Sequence, residues 1–193
     1  RGRHGPVRVL YVIVDLDALA LRGLDPAAFT SAVRAGRACA LQRRAKSATP
    51  EITLAWLGAL EPLCAAAGVP LVANDRPDLA VSQGCDGAHV GQEDTPAAVA
   101  RKVLGDLTLG VTCHDSRDLA FSAGEDGADY VAFGAFFPSP SKHDGTVPAH
   151  VETLQWWSEI AELPSVAIGG ITADNCSSLV QAGADFLAVI SAV

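Results

Sequence analysis

Short apolar runs alternate with longer helix-like stretches along the whole sequence, and this alternation limits the possible folds more than any other feature. The runs are rich in Val, Ile and Ala and lack the polar alternation of a half-exposed strand, so they predict strands buried on both faces. Strands and helices in alternation predict an α/β fold with a parallel sheet. The predicted strands are 9–14, 38–43, 70–73, 87–90, 108–112, 129–134, 165–169 and 185–190, and the predicted helices are 26–35, 50–67, 77–82, 95–104, 116–125, 151–162 and 174–181.

Eight predicted strands favour a closed (β/α)8 TIM barrel over an open sheet. Three junctions of the form Gly-x-Asp, at 84–86, 127–129 and 183–185, support a repeating βα unit. In each junction the Gly can end a helix in the left-handed conformation, and a buried strand begins two residues later. The 193 residues form a single predicted domain, 1–193. The sequence ends directly after the eighth predicted strand, so we expect the final helix of the barrel to be missing from this chain.

Composition excludes several classes of function. The formal net charge of −8 argues against general nucleic-acid binding, which requires a face rich in Lys and Arg. No apolar run approaches the roughly 20 residues of a membrane helix, and the first residues lack the apolar core of a signal peptide. Five cysteines without a C-x-x-C pair indicate neither a disulfide framework nor a zinc site. We therefore expect a soluble cytoplasmic protein that does not bind membranes.

The loops after the last two predicted strands predict a phosphate site. In a barrel of this type the active site lies at the carboxyl ends of the strands, and loops seven and eight commonly hold a phosphate group. Gly169 and Gly170 follow strand seven and precede a helix whose N–H groups face the same end. Ser191 follows Ile190 after strand eight and adds a hydroxyl. An ordinary tight turn is the alternative interpretation of the Gly-Gly pair.

Two carboxylates on neighbouring loops predict a divalent metal site. Asp75 follows Asn74 at the end of strand three, and Asp94 lies in the loop after strand four. Mg²⁺ prefers oxygen ligands and usually takes one or two carboxylates together with substrate phosphates and water. Either Asp alone could instead be a turn-forming residue. Side by side with a phosphate site, the pair favours Mg²⁺.

Cations follow strands two and six. Because side chains alternate along a strand, Gln42, Arg44 and Lys46 share one face, and two cations on one face suit a diphosphate. A solvated charged loop is the alternative. The loop after strand six offers two hydroxyls and a third cation, Lys142, and Thr112 and His114 follow strand five. His89 lies within strand four, where a hydrogen-bonded core histidine is the expected role.

These motifs, in this order, resemble the thiamin-phosphate synthase (thiamin-phosphate pyrophosphorylase) family. The motifs are Q-x-R-x-K at 42–46, N-D-R-x-D-L-A at 74–80, H-V-G-Q-E-D at 89–94, Ser-x-Ser-Lys at 139–142 and A-I-G-G-I at 167–171. The resemblance implies a transferase that joins hydroxymethylpyrimidine diphosphate to a thiazole phosphate, with release of pyrophosphate and formation of thiamin phosphate. It implies Mg²⁺ as cofactor and a dissociative substitution, in which diphosphate leaves before the thiazole nitrogen attacks. Such a reaction needs no nucleophile from the protein.

The resemblance also implies roles for individual residues. Asp75 and Asp94 hold Mg²⁺, while Arg44, Lys46, Lys142 and Thr112 act at the reacting groups. The thiazole phosphate lies against Ser139, Ser141, Gly169, Gly170, Ile190 and Ser191. The full expected substrate-binding set is Gln42, Arg43, Arg44, Ala45, Lys46, Asn74, Thr112, Ser139, Pro140, Ser141, Lys142, Gly169, Gly170, Ile190 and Ser191.

The sequence departs from the family pattern at two positions. Three alternative functions are also compatible with part of the sequence. Pro140 removes a backbone N–H between two hydroxyl residues, and Arg43 stands at a usually apolar position. A thiazole tautomerase of the same superfamily would use a His such as His114 but lacks paired metal aspartates. A barrel that isomerises sugar phosphates would explain the Gly-Gly pair but not the basic cluster. A non-catalytic homologue that binds thiamin precursors would have lost a catalytic group. The sequence leaves the oligomeric state open.

Overall fold

The computed structural model describes residues 9–15, 38–44, 49–138 and 148–189, with side chains in the first two of these segments only at positions 10–13. The strands are β1 (Val9–Asp15), β2 (Ala38–Arg44), β3 (Leu71–Asn74), β4 (Gly87–Val90), β5 (Thr108–His114), β6 (Tyr130–Gly134), β7 (Ser165–Ile168) and β8 (Phe186–Val189). The helices are α1 (Pro50–Ala67), α2 (Pro77–Ser82), α3 (Ala97–Leu104), α4 (Arg117–Glu125), α5 (Val151–Ile160) and α6 (Ser177–Gln181).

The eight strands close into a barrel in the order of the sequence, and every neighbouring pair is parallel. Closure runs through β1 and β8, where Leu10 pairs with Leu187 and Val12 with Val189. The predicted (β/α)8 barrel is therefore confirmed. The predicted helix at 26–35 lies outside the described residues. The described part of the chain ends with β8 at Val189.

Two apolar layers hold the barrel together. Along β6, Val131 and Phe133 point outward and pack beneath the helices, while Tyr130 and Ala132 point inward. This alternation follows from the period of two in a strand. The outer layer also contains Leu57, Leu60, Leu109, Leu154 and Leu179, each at most 1% exposed. Among the described side chains, the inner layer includes Tyr11, Ile13, Tyr130, Ala132, Val166 and Ala188.

The three Gly-x-Asp junctions adopt the predicted geometry. Gly84, Gly127 and Gly183 have φ angles of 66°, 88° and 93°, in the left-handed region that favours glycine. The structure adds a role for the Asp that the sequence did not predict. Each Asp exchanges two hydrogen bonds with the residue at or next to the start of the preceding strand: its backbone N–H donates to that residue's carbonyl, and its carboxylate accepts that residue's N–H. The carboxylate bonds join Asp86 to Leu71 (2.8 Å), Asp129 to Leu109 (2.8 Å) and Asp185 to Ser165 (2.9 Å).

Candidate functional site

The described residues of the predicted site lie along one rim of the barrel. Asn74 ends β3, Asp94 lies in the loop after β4, Thr112 lies near the end of β5, and Gly169 directly follows β7. Because all strands are parallel, their carboxyl ends meet at the same edge. The barrel therefore brings these positions, together with Asp75 and Gly170, to a common rim.

Asp75 turns the chain sharply at the end of β3. Its φ angle of 64° lies in the left-handed region, which Asp tolerates better than most residues. Its backbone N–H donates to the carbonyl of His89 in β4 at 2.8 Å. This bond fixes the loop after β3 against β4, the strand that leads into the loop carrying Asp94.

The Asp94 carboxylate closes the loop after β4. Its Oδ2 accepts a hydrogen bond from the backbone N–H of Gly91 at 2.8 Å, and a Cβ on Gly91 would lie 2.8 Å from that same oxygen. The turn-forming interpretation of Asp94 is thus correct for one of its oxygens. That N–H of Gly91 is the only hydrogen-bond donor to the carboxylate among the described residues. A carboxylate with one oxygen engaged still offers a hard oxygen ligand, so Asp94 and Asp75 fit Mg²⁺ chemically.

The described residues include no group of three or more His, Cys, Asp and Glu side chains placed to hold a metal ion. A Mg²⁺ site with only two protein carboxylates, completed by substrate oxygens and water, would not form such a group. The pairing of Asp75 with Asp94 therefore stays a prediction.

The Gly169–Gly170 turn receives the loop that follows β6. The N–H of Phe137 donates to the carbonyl of Gly169 at 3.0 Å, and a Cβ on Gly170 would lie 2.7 Å from the carbonyl oxygen of Phe137. Close backbone approach therefore requires glycine here, whether or not a phosphate binds. The helix after this turn begins at Ser177 rather than at the predicted residue 174; residues 173–176 form turns, in which the side chain of Asn175 accepts the N–H of Thr172 at 2.8 Å.

Thr112 is linked to three side chains that point into the barrel. Its hydroxyl lies 2.8 Å from Nε2 of His89, whose Nδ1 lies 3.0 Å from the hydroxyl of Tyr130. The Tyr130 hydroxyl in turn lies 2.8 Å from that of Tyr11. The expected role of His89 as a hydrogen-bonded core residue is confirmed. Burial lowers the pKa of His89 to about 4, partly offset by the charge of Asp94, so the ring is neutral at pH 7.

The loop after β5 is held by hydrogen bonds to the loop after β4 and to the start of α5. The side-chain amide of Gln92, from the loop after β4, donates to the carbonyl of Thr112 at 2.5 Å. Asp115 accepts from the backbone N–H of His150 at 3.1 Å and from the hydroxyl of Thr153 at 2.6 Å, at the start of α5. His114 is exposed, with a φ angle of 52°. The sequence analysis did not predict that Asp115, just past the end of β5, would hold this loop.

The other predicted site residues are described only in part or not at all. Gln42, Arg43 and Arg44 occupy the last three positions of β2, where Arg44 pairs with Asp15 of β1 in the backbone register. The strand thus extends one residue past its predicted end. The remaining predicted residues lie outside the described part of the chain: Ala45, Lys46, Ser139, Pro140, Ser141, Lys142, Ile190 and Ser191.

The closed parallel (β/α)8 barrel, with Asp75, Asp94, Thr112 and a close glycine turn at the carboxyl ends of its strands, places this chain among the TIM-barrel proteins. No helix in the described part is long and apolar enough to cross a membrane. The family model described as thiamine monophosphate synthase matches residues 10–193. The chain belongs to that family and is a transferase enzyme, and the resemblance seen in its motifs is confirmed.

Individual relatives agree with this assignment. A thiamine-phosphate synthase of Rhodospirillum centenum is 55% identical over 174 residues, which cover 88% of this chain and 84% of that protein. A thiamine-phosphate synthase of Erythrobacter litoralis is 48% identical over 188 residues, 95% of this chain and 87% of that protein. The solved thiamine phosphate pyrophosphorylase of Pyrococcus furiosus superposes with a TM-score of 0.83 at 32% identity, covering 97% of this chain and 88% of that one.

Proposed function

We propose that this chain joins hydroxymethylpyrimidine diphosphate to a thiazole phosphate, giving thiamin phosphate and pyrophosphate. The observation that carries the proposal is the close match, along most of their length, to relatives that bear the name thiamine-phosphate synthase. The rim geometry is compatible with it, since two carboxylates and a hydroxyl-bearing strand end lie on the same edge as the Gly169–Gly170 turn.

The proposed reaction requires the protein to stabilise a departing diphosphate and to align two substrates. Catalysis then depends on preorganised charge and on proximity rather than on a protein nucleophile. In this proposal Arg44, Lys46 and Lys142 balance the negative charge of the diphosphate. Thr112 contributes a hydroxyl to the same substrate, and backbone groups at Gly169 hold the phosphate of the thiazole.

Asp75 and Asp94 are the residues that would hold Mg²⁺. When bound, the ion would neutralise part of the charge on the leaving diphosphate. The fit rests on the donor chemistry of the two loops: Asp94 keeps a carboxylate oxygen that no described donor engages, and Asp75 is fixed against β4 by its own N–H.

The direct test is a mixed assay with both proposed substrates, in the presence of Mg²⁺ or of a chelator, that follows thiamin phosphate and pyrophosphate. We expect product only with Mg²⁺. Asp94→Ala should abolish this turnover without changing the circular dichroism spectrum. Glu93→Ala, which removes an exposed carboxylate from the same loop, is the matched control and should retain activity. Full turnover by Asp94→Ala would remove Asp94 from the metal site, and no product from the folded wild-type chain would refute the synthase assignment.

The rival activities are less well supported. The tautomerase interpretation needs His114 and leaves Asp75 and Asp94 without a role, and the relatives described above are named as synthases. Isomerisation of the thiazole substrate without condensation would be its signature in the same assay. Binding of the substrates without any product would indicate the non-catalytic homologue. Location in the cytoplasm stays a prediction.

A further inference from the structure

Four polar side chains form a continuous chain of hydrogen bonds from the barrel interior to its carboxyl rim. It starts at Tyr11 in β1, passes through Tyr130 in β6 and His89 in β4, and ends at the Thr112 hydroxyl in β5, with separations of 2.8, 3.0 and 2.8 Å. Tyr11, Tyr130 and His89 are at most 8% exposed, whereas Thr112 is half-buried. These hydrogen bonds thus connect the buried interior of the barrel with the rim where, in the proposed function, the substrate binds.

In β5, the strand between His89 and Tyr130, a glycine leaves space for these two side chains. Gly110 pairs with His89 on one side and with Tyr130 on the other. A Cβ on Gly110 would overlap the Tyr130 ring and would lie 2.5 Å from Nδ1 of His89. Its φ angle is not positive, so space rather than backbone conformation requires glycine here. The polar chain is therefore built into the packing of the barrel.

A neutral imidazole has one N–H and one lone pair, so the direction of the chain decides what Thr112 can do. In one direction Thr112 donates its proton to Nε2 and presents only oxygen lone pairs to the rim. In the other, Tyr11 donates to Tyr130, Tyr130 donates to Nδ1, and Nε2–H donates to Thr112. The Thr112 proton is then available to a ligand, and aligned donors polarise one another toward it.

We propose that His89 is a positioning residue for the diphosphate substrate, because its Nε2–H donates to Thr112 and so directs the Thr112 hydroxyl proton toward a diphosphate oxygen. Only this direction suits an anion, since the reverse would set lone pairs against negative oxygens. The inference rests on the proposed function insofar as Thr112 lies near the pyrimidine diphosphate. It assigns to His89, Tyr130 and Tyr11 a function that a purely structural core would not need.

The first test reads the position of the His89 proton and needs no turnover. In ¹⁵N-histidine-labelled protein, the His89 signals are identified by their loss in His89→Gln. We expect a proton on Nε2 and none on Nδ1 in the wild-type protein, and a weaker preference in Tyr130→Phe, which removes the donor to Nδ1. A proton on Nδ1 in the wild-type protein, with inorganic pyrophosphate and Mg²⁺ added, would overturn the proposal.

The second test uses two substitutions that reach different distances. Gln extends as far as the ring Nε2 and can donate to Thr112, whereas Asn reaches only as far as Nδ1. Calorimetry with inorganic pyrophosphate and Mg²⁺ should show binding within about threefold of wild type for His89→Gln and about tenfold weaker for His89→Asn, the loss of one hydrogen bond to a charged group. Equal melting temperatures of the two variants would show that their difference in pyrophosphate affinity does not come from a difference in stability.

The effects of substitutions at His89 and Thr112 on pyrophosphate binding should not be additive. Thr112→Val should weaken pyrophosphate binding about as much as His89→Asn, and the double variant should be no weaker than either single one. Additive losses, or equal binding by the Gln and Asn variants, would refute the positioning role. Because these readouts use pyrophosphate binding and the ring proton, they stand apart from synthase turnover, whose absence would instead refute the proposed function.

Discussion

Gly110→Ala should destabilise this protein far more than its single added methyl group suggests. The new Cβ would overlap the ring of Tyr130 and lie 2.5 Å from Nδ1 of His89, where nonbonded heavy atoms normally stay roughly 3.5–4 Å apart. Neither side chain can retreat, because Tyr130 is 8% exposed and lies in the inner apolar layer, and His89 is 7% exposed. Overpacking of this kind costs about 1–3 kcal/mol, and each buried hydrogen bond lost from the polar chain costs about 1 kcal/mol more.

The expected loss is therefore about 3–5 kcal/mol, or roughly 10 °C in Tm for a domain of this size. Thermal and urea denaturation followed by circular dichroism would measure it. Gly58→Ala is the matched control: Gly58 lies inside α1, where a new Cβ would meet nothing closer than the Gln83 side chain at 3.6 Å. There, Ala should raise the stability by about 0.5–1 kcal/mol through its better helix propensity. A Gly110→Ala protein that melts within 2 °C (roughly 0.5–1 kcal/mol) of wild type would refute this reasoning.

Two further predictions concern stability at other places in the barrel. Asp185→Ala should lower the free energy of unfolding by about 1–3 kcal/mol in chemical denaturation, because it removes the acceptor of the fully buried Ser165 N–H. The control Asp174→Ala, at an exposed position, should leave the free energy of unfolding almost unchanged. Equal effects of the two substitutions would contradict the structural role of Asp185 in the Gly-x-Asp junction. The ring Nδ1 of His150 donates a hydrogen bond to the Asp115 carboxylate. This bond, and then the charge of Asp115, raise the pKa of His150 above 6.5, so the contact stabilises the fold fully below pH 6.5 and is lost as the pH rises through the raised value. Melting temperatures measured across that range should fall more steeply for wild type than for His150→Ala, and parallel curves would exclude the contribution.

Much of the fold was predictable because the burial of a strand or helix face determines the pattern of apolar residues along the sequence. Strands covered on both faces read as continuous apolar runs, and the helices Pro50–Ala67 and Pro77–Ser82 match their predicted bounds. Each of these helices opens on a Pro, which is favoured at a helix start. Other ends shifted by a few residues: the last helix begins at Ser177 rather than at residue 174, after turns in which the Asn175 side chain accepts the N–H of Thr172. Helix ends depend on such contacts, which periodicity does not report.

The sequence by itself determined which residues follow each strand, and hence that Asn74, Asp75, Asp94, Thr112 and Gly169 would share one rim. That follows from chain order once all strands are parallel. Only the tertiary structure decided which side chains meet across the barrel. Tyr11 and Tyr130 are 119 positions apart, yet their hydroxyls lie 2.8 Å from each other. The physical reason is that local pattern fixes the face on which a side chain lies, whereas closure of the barrel fixes which residues reach the same level inside it.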